Sequence, residues 1–352
     1  MRLVVIGNPG SNRLTFLNEA LQKQGQPSAI ILPWLELIEG RTELSVHAQP
    51  DDLVRIESPG RDVAVEAALV GVGRRAEHGE IFFPARWYAG FCKALGKLAA
   101  TPCRFTIAPS EISTLFDKCA TQRRFAEAGL PIPRSLGAPG SLAELAQAMQ
   151  ALGVRQAFIK LAHGSSASGA LAIRTDGQGR WKGYTTVEQV EETLFNSRRI
   201  RALESPDALD GLIRALAPHT LHAEEWLPKA SLQNHAFDLR ALVIGGKLCH
   251  VVARLSQSPM TNLHLLNQRA DAATVRERVG NVAWDALTEL AERAAQCFPK
   301  CLHLGLDMMW LPGFRRLALL EANAFGDLMP GTLWEGKTTY EVELEVMGQF
   351  LC

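Results

Sequence analysis

The sequence predicts a mixed α/β and α+β chain of more than one domain, on three observations. It has 352 residues, and at roughly 150 per domain that length points to two or three cores. Residues 1–107 alternate short apolar runs with helical patterns, the order of a parallel sheet. Beyond them, apolar strands joined by Gly-rich turns are interleaved with capped helices. Hydrophobic residues make up 47% and charged residues 21%, a balance that lets a chain of this length form a core without disulfides or a structural metal.

Leu3-Val4-Val5-Ile6 is a strand ending at Gly7, followed by a helical pattern through Leu14, Leu17 and Leu21 that stops at Gly25. Ala29 to Leu32 is a second strand closed by Pro33, and Asp62–Leu69 and Arg86–Leu98 are further helices. The turn Gly7-Asn8-Pro9-Gly10 lacks the G-x-G-x-x-G spacing of dinucleotide sites and is expected to be a tight strand-to-helix turn. Ser110 is the expected N-cap of a helix running through Ile112, Leu115, Phe116, Cys119 and Phe125 to Gly129. Pro131 and Pro133 then impose extended chain. Ser141 and Glu144 form a capping box for a helix to about Leu152. Strands at 157–161, 170–174 and 181–187 follow, then a helix opened by Ser205-Pro206. The last block holds strands near 237–244 and 247–254, a polar loop at 256–270, a helix from Trp284 to Phe298, and strands at 304–310 and 316–322.

Lys and Arg number 37, as do Asp and Glu, so the net charge is zero, which argues against a strong overall field for nucleic acid or anionic membrane and leaves a local patch open. Four apolar residues near the N-terminus fall short of a secretory h-region of roughly 7–15, and no stretch of about 18 apolar residues spans a membrane. The seven cysteines are scattered; Cys297 and Cys301 have no second pair with which to build a zinc site. The expectation is a cytoplasmic protein with free thiols, with neither nucleic acid nor membrane as a partner.

Three constellations carry chemistry. Phe158-Ile159-Lys160-Leu161 places a lysine inside an apolar strand, where its ammonium needs an anion. The loop after it, Gly164-Ser165-Ser166-Ala167-Ser168-Gly169, has backbone amides that can approach phosphate oxygens closely; a hairpin with a snorkelling lysine gives the same pattern. Asp307 lies upstream of Glu321-Ala322-Asn323, and residues two apart on a strand share a face. Together they offer three hard oxygen ligands suited to Mg²⁺, unless they are a strand-end acid and an edge amide. Arg240 and Arg254, on adjacent antiparallel strands, form a candidate oxyanion or phosphate clamp, or else surface ion pairs.

The order of these pieces over residues 114–352 resembles the ATP-grasp superfamily, and Thr261-Asn262-Leu263-His264 resembles a segment of its glutathione synthetase and ribosomal-protein glutamate ligase (RimK-like) branch. Asp117-Lys118 before Gly129-Leu130-Pro131-Ile132-Pro133 looks like the family's opening lysine and turn, and Glu224-Glu225-Trp226-Leu227 like its adenine-holding hinge. The resemblance implies an N-terminal Rossmann-like pre-ATP-grasp domain over 1–107, a central ATP-grasp subdomain over 108–223 and a C-terminal subdomain over 224–352. It implies that Glu224 and the 225–227 backbone meet adenine, that Lys118 and Lys160 neutralise phosphates, and that Gly164, Ser165, Ser166 and Gly169 cover them. Asp307, Glu321 and Asn323 would hold Mg²⁺, for which Mn²⁺ substitutes. Arg240 and Arg254 would steady an acyl phosphate, while Asn262 and His264 would face substrate. The implied activity is ATP-dependent ligation of a small-molecule or peptide carboxylate to an amine through an acyl phosphate, with a homo-oligomer as the usual assembly. A phosphotransferase on the same scaffold and a non-catalytic ATP-binding regulator or complex subunit are the alternatives. Two departures stand out. Gly305 occupies a place where some branches keep an arginine, and Ala324–Met329 delays the Pro330-Gly331 turn that often follows the Glu-x-Asn motif closely.

Overall fold

The computed structural model describes residues 2–164, 168–258, 260 and 268–349. The chain begins with strand β1 (Leu3–Gly7), helix α1 (Asn12–Lys23), β2 (Ile30–Pro33), α2 (Trp34–Ile38), α3 (Leu44–His47), β3 (Leu53–Ile56), α4 (Val63–Val70), α5 (Pro84–Ala99) and β4 (Arg104–Phe105). The four strands form a parallel sheet in the order β2-β1-β3-β4. Strand β1 is buried along its whole length, as a strand covered on both faces must be. Val4 and Ile6 face a core with Leu69, Phe91 and Leu95, while Leu3 and Val5 face Leu14, Leu17 and Leu21 of α1.

Two short helices follow, α6 (Pro109–Leu115) and α7 (Lys118–Glu127). The sequence pattern predicts one helix capped by Ser110; the chain instead breaks at Phe116-Asp117. The Asp117 side chain accepts from the backbone N–H groups of Cys119 and Ala120 at 2.9 and 3.1 Å, and this new N-cap places Lys118 at the first helical position. Next come β5 (Ser135–Gly137), α8 (Leu142–Ala151), β6 (Gln156–Leu161), β7 (Leu171–Thr175), β8 (Trp181–Val190), β9 (Thr193–Leu203), α9 (Pro206–Leu216) and β10 (Leu221–Glu225). They build an antiparallel sheet in the order β5-β10-β6-β7-β8-β9. Its core face presents Ala157, Ile159, Leu161, Leu221 and Ala223 to helices α8 and α9.

The third sheet holds β11 (Ser231–Leu232), β12 (His235–Ile244), β13 (Lys247–Ser256), β14 (Gln268–Asp271), β15 (His303–Trp310) and β16 (Leu317–Asn323). Its order is β14-β13-β12-β15-β16, with β11 paired to β12. Helices α10 (Ala272–Val279) and α11 (Asn281–Gln296) intervene; Leu287, Leu290 and Ala291 of α11 share a core with Leu239, Ala241 and Val243 of β12. Among the described residues no helix is long and apolar enough to cross a membrane.

The last helix, α12 (Thr339–Gln349), returns to the first sheet, where Tyr340, Leu344 and Met347 pack with Leu3, Val5 and Leu17. That return buries a charge network. Arg55 in β3 bonds to Glu57 at 2.6 Å, to Asp327 at 2.5 Å and to Glu343. Arg13 of α1 reaches Asp327 at 2.5 Å and Glu57 at 3.3 Å. Three carboxylates thus share two guanidinium groups, leaving one acid in excess. Burial pushes the Glu343 carboxyl up to about 8; Arg55 opposes this, and Asp327 and Glu57 reinforce it. Burial also holds the His303 imidazole neutral, down at about 4.

The folded chain keeps the Glu343 proton well above the 4.5 of an ordinary glutamate. Its stabilising contribution is therefore complete below about 4.5 and is lost as the pH rises through about 8. Urea midpoints measured from pH 6 to pH 9 are expected to fall for the wild type and to stay flatter in Glu343→Gln. Equal slopes for the two proteins would contradict the assignment.

Candidate functional site

Strand alternation sets the site. With Ile159 and Leu161 in the core, Lys160 must project from the opposite face, as must His222 and Glu224 on the neighbouring strand; Lys160 and His222 are register partners. In the third sheet Leu239 and Ala241 are core residues, so Asp238 and Arg240 face the other way. The register pairs Asp238 with Arg254, Arg240 with Asp307, Asp307 with Glu321, and Gly305 with Asn323. The polar faces of the two sheets meet in a cleft lined by Lys118, Gln122, Lys160, His222, Glu224 and Glu321, among others.

Every charge in this cleft has a partner. Lys160 pairs with Glu224, whose other oxygen accepts from Gln122 Nε2 at 2.5 Å and lies 3.3 Å from His222 Nε2. Burial would raise the Glu224 carboxyl, but Lys160 and His222 overcome it and hold it at about 2. Burial likewise disfavours the Lys160 ammonium, yet Glu224, Glu321 and Asp307 keep it above its ordinary value. Lys118 Nζ donates to Gly164 O at 2.5 Å and pairs with Glu321 at 2.9 Å, which joins α7 to the third sheet.

On the third sheet, Arg240 Nε donates to Asp307 Oδ1 at 2.6 Å. Arg254 donates to Asp238 Oδ1 at 2.7 Å and lies 3.2 Å from Asp307 Oδ2. Lys229 Nζ meets Asp238 Oδ2 at 2.7 Å. Burial opposes ionisation of Asp307, and the two arginines hold its carboxyl below the usual range nonetheless. The Arg254 side chain is 6% exposed and that of Arg240 is 23% exposed, so Arg240 is the more accessible guanidinium.

The hinge segment leaves the second sheet after β10. Glu225 N donates to Arg134 O at 2.8 Å and Trp226 N to Gln156 O at 3.2 Å. Glu225 is tied to Arg134 at 2.7 Å, and Leu227 packs against Met309, Leu311 and Ala318. Of the candidate phosphate loop, Gly164 N donates to Leu161 O and Gly169 N to Asn196 Oδ1. A Cβ at Gly169 would lie 2.5 Å from Leu161 Cγ, so close packing also requires glycine there. Ser165, Ser166, Asn262 and His264 lie outside the described residues.

The donor set of Asp307, Glu321 and Asn323 fits a hard divalent cation: two carboxylates and an amide oxygen on register-adjacent strands. Asn323 Nδ2 is buried without an acceptor among the described residues.

Several residues of the site carry weak sequence signals. Gln122 and His222 look like ordinary helix and strand polar residues, and Lys229 begins the segment 229–236, which matches none of the motifs above. That segment is a small hairpin, β11 against β12, turning at Gln233 and Asn234 with φ of 52° and 61°. The glycine departure has a steric cause. A Cβ on Gly305 would lie 2.5 Å from Gly326 Cα, because the chain after Asn323 crosses the sheet there. Arg13 holds this crossing by donating to Phe325 O at 2.5 Å, and Ala324 O lies 3.0 Å from His303 Nε2. Gly305→Ala is expected to cost about 1–3 kcal/mol by forcing the two backbones apart. An unchanged denaturation midpoint would contradict this packing.

No family model matches the chain, and no curated protein sequence does. Solved structures do. The ATP-grasp ligase PsnB complexed with minimal precursor is 16% identical, with a TM-score of 0.59 and 99% of each chain covered. The D-cycloserine synthetase DcsG is 13% identical, with a TM-score of 0.61 and 100% of each chain covered. The macrocyclase MdnC from Microcystis aeruginosa MRC, bound with precursor peptide MdnA, is 14% identical, with a TM-score of 0.55 and 99% of each chain covered. The chain therefore has the ATP-grasp fold along its whole length.

Proposed function

We propose that this chain is an ATP-dependent ligase that joins a carboxylate to an amine through an acyl phosphate. The observation that carries the reading is the convergence, in one cleft of an ATP-grasp fold, of Lys118, Lys160 and Glu321, with Asp307 acting on Lys160 from the neighbouring strand and Asn323 two residues beyond Glu321 on the same strand face. A nucleotide in this cleft would have its base beside Glu224 and the 225–227 backbone. Its phosphates would lie between the two lysines, whose charges offset those of the triphosphate. Asp307, Glu321 and Asn323 would hold a divalent cation, which supplies charge neutralisation to the β- and γ-phosphate oxygens.

The substrate carboxylate attacks the γ-phosphorus, the bond to the β-bridging oxygen breaks, and ADP leaves. The amine then adds to the acyl carbon, phosphate departs, and the amine proton goes to solvent or phosphate. Arg240, being accessible, faces the acyl phosphate and the oxyanion of the second step, where a preformed donor acts most strongly. Arg254, engaged by Asp238 and Asp307, orients that group. Among the structural neighbours PsnB is complexed with a minimal precursor, MdnC is bound with precursor peptide MdnA, and DcsG is a D-cycloserine synthetase, which supports testing both peptide and small-molecule carboxylates.

ADP release with ATP and Mg²⁺, measured over pools of amino acids, dipeptides and other carboxylates with hydroxylamine present, is expected to yield a hydroxamate in the productive pool. Glu321→Ala is expected to lower kcat at least about a hundredfold with the fold intact, and Lys160→Ala to weaken ADP binding. Hydroxylamine-insensitive transfer to a hydroxyl or phosphate would favour a phosphotransferase. Binding without turnover in any pool would favour a regulator.

A further inference from the structure

We infer that Gln122 is the residue that selects the nucleotide base, its side-chain carbonyl accepting from the 6-amino group of a 6-aminopurine. The inference rests on the nucleotide reading of the cleft and adds a specificity residue to it.

Gln122 lies one helical turn beyond Lys118 on α7, so both side chains reach the same cleft. It is 7% exposed. Its amide has one donor end and one acceptor end, and its neighbour dictates which end points where. Glu224 is held as a carboxylate by Lys160 and His222, and a carboxylate only accepts. The Gln122 Nε2 must therefore face Glu224, as the 2.5 Å contact has it, which turns Oε1 away. That oxygen is buried and receives no hydrogen bond among the described residues.

A buried acceptor without a donor is a standing cost that a ligand can remove. Phe125, Leu319 and Ala322 line the same cleft, surroundings that suit a donor carried on an apolar ring. The donor must lie near Glu224, at the end of the strand that leads into the 225–227 segment. A 6-aminopurine supplies an N–H at its rim; a 6-oxopurine presents an acceptor at that position, opposing Gln122 Oε1 with like polarity.

The test is a cycle of ligand and protein deletions, read by calorimetry in Mg²⁺ buffer. Wild type is expected to bind ADP about tenfold or more tightly than either inosine diphosphate or purine riboside diphosphate, which lacks the 6-substituent. Gln122→Met is expected to bind ADP and purine riboside diphosphate equally, at the weaker wild-type level. Gln122→Asn withdraws the carbonyl by one methylene and is expected to lose the same preference, which serves if the methionine variant does not fold. Wild-type affinity indifferent to the 6-substituent overturns the inference while leaving the nucleotide site in place. So does a full ADP preference retained in either folded variant. Failure of wild type to bind any of the three diphosphates removes the nucleotide reading itself.

Discussion

A β-strand with one face in a core has no choice about where its alternate residues go. In this chain two sheets turn their non-core faces toward each other, and those faces carry Lys160, Glu224, Arg240, Arg254, Asp238, Asp307 and Glu321. Charge in so confined a space is stable only when paired; removing one partner of a buried pair costs about 3–5 kcal/mol. The pairings follow the strand register: Asp238 with Arg254, and Arg240 with Asp307. The Lys118–Glu321 pair crosses from helix to sheet and ties the two halves of the cleft together. A substrate with several phosphates and a divalent cation would replace these internal partners with external ones of the same sign.

A second consequence concerns the segment after Asn323. The chain crosses the third sheet at the Gly305–Gly326 contact, where neither residue has room for a side chain. It is then gripped by the N-terminal parallel-sheet unit, through Arg13 to Phe325 O and through Arg13 and Arg55 to Asp327, which is fully buried. Glu321 and Asn323 are thus positioned both by the sheet that carries them and by a network anchored on β3 and α12. The N-terminal unit takes part in building the site through this grip.

Much of the fold was legible because its signals are local. Ser141 and Ser205 cap the helices they announce, and the apolar runs at 3–6, 157–161 and 304–310 are strands. What escaped has a physical reason in each case. Strand β3 contains Arg55, whose charge breaks the apolar run but is neutralised by residues hundreds of positions away. Strand β9 carries an Arg-rich stretch with no apolar run to announce it. Helix α12 alternates acids with Tyr340, Val342 and Leu344 and shows no amphipathic stripe, because most of its residues, Glu343 included, are buried. The Phe116-Asp117 break was hidden by apolar residues that keep the helical period across it. In the site, the charged residues stood out because charge within an apolar strand is conspicuous. Gln122, His222 and Arg13 did not, since their roles arise from contacts formed only by folding.

The most direct measurement of the central claim is amide hydrogen exchange with and without ADP and Mg²⁺. Nucleotide in the cleft is expected to slow exchange in β6 and in the segment from His222 to Leu227, with no change in β1 and β2 of the N-terminal sheet. Protection confined to the N-terminal sheet and its Gly7–Gly10 turn would contradict it, by placing the nucleotide outside the cleft between the two antiparallel sheets.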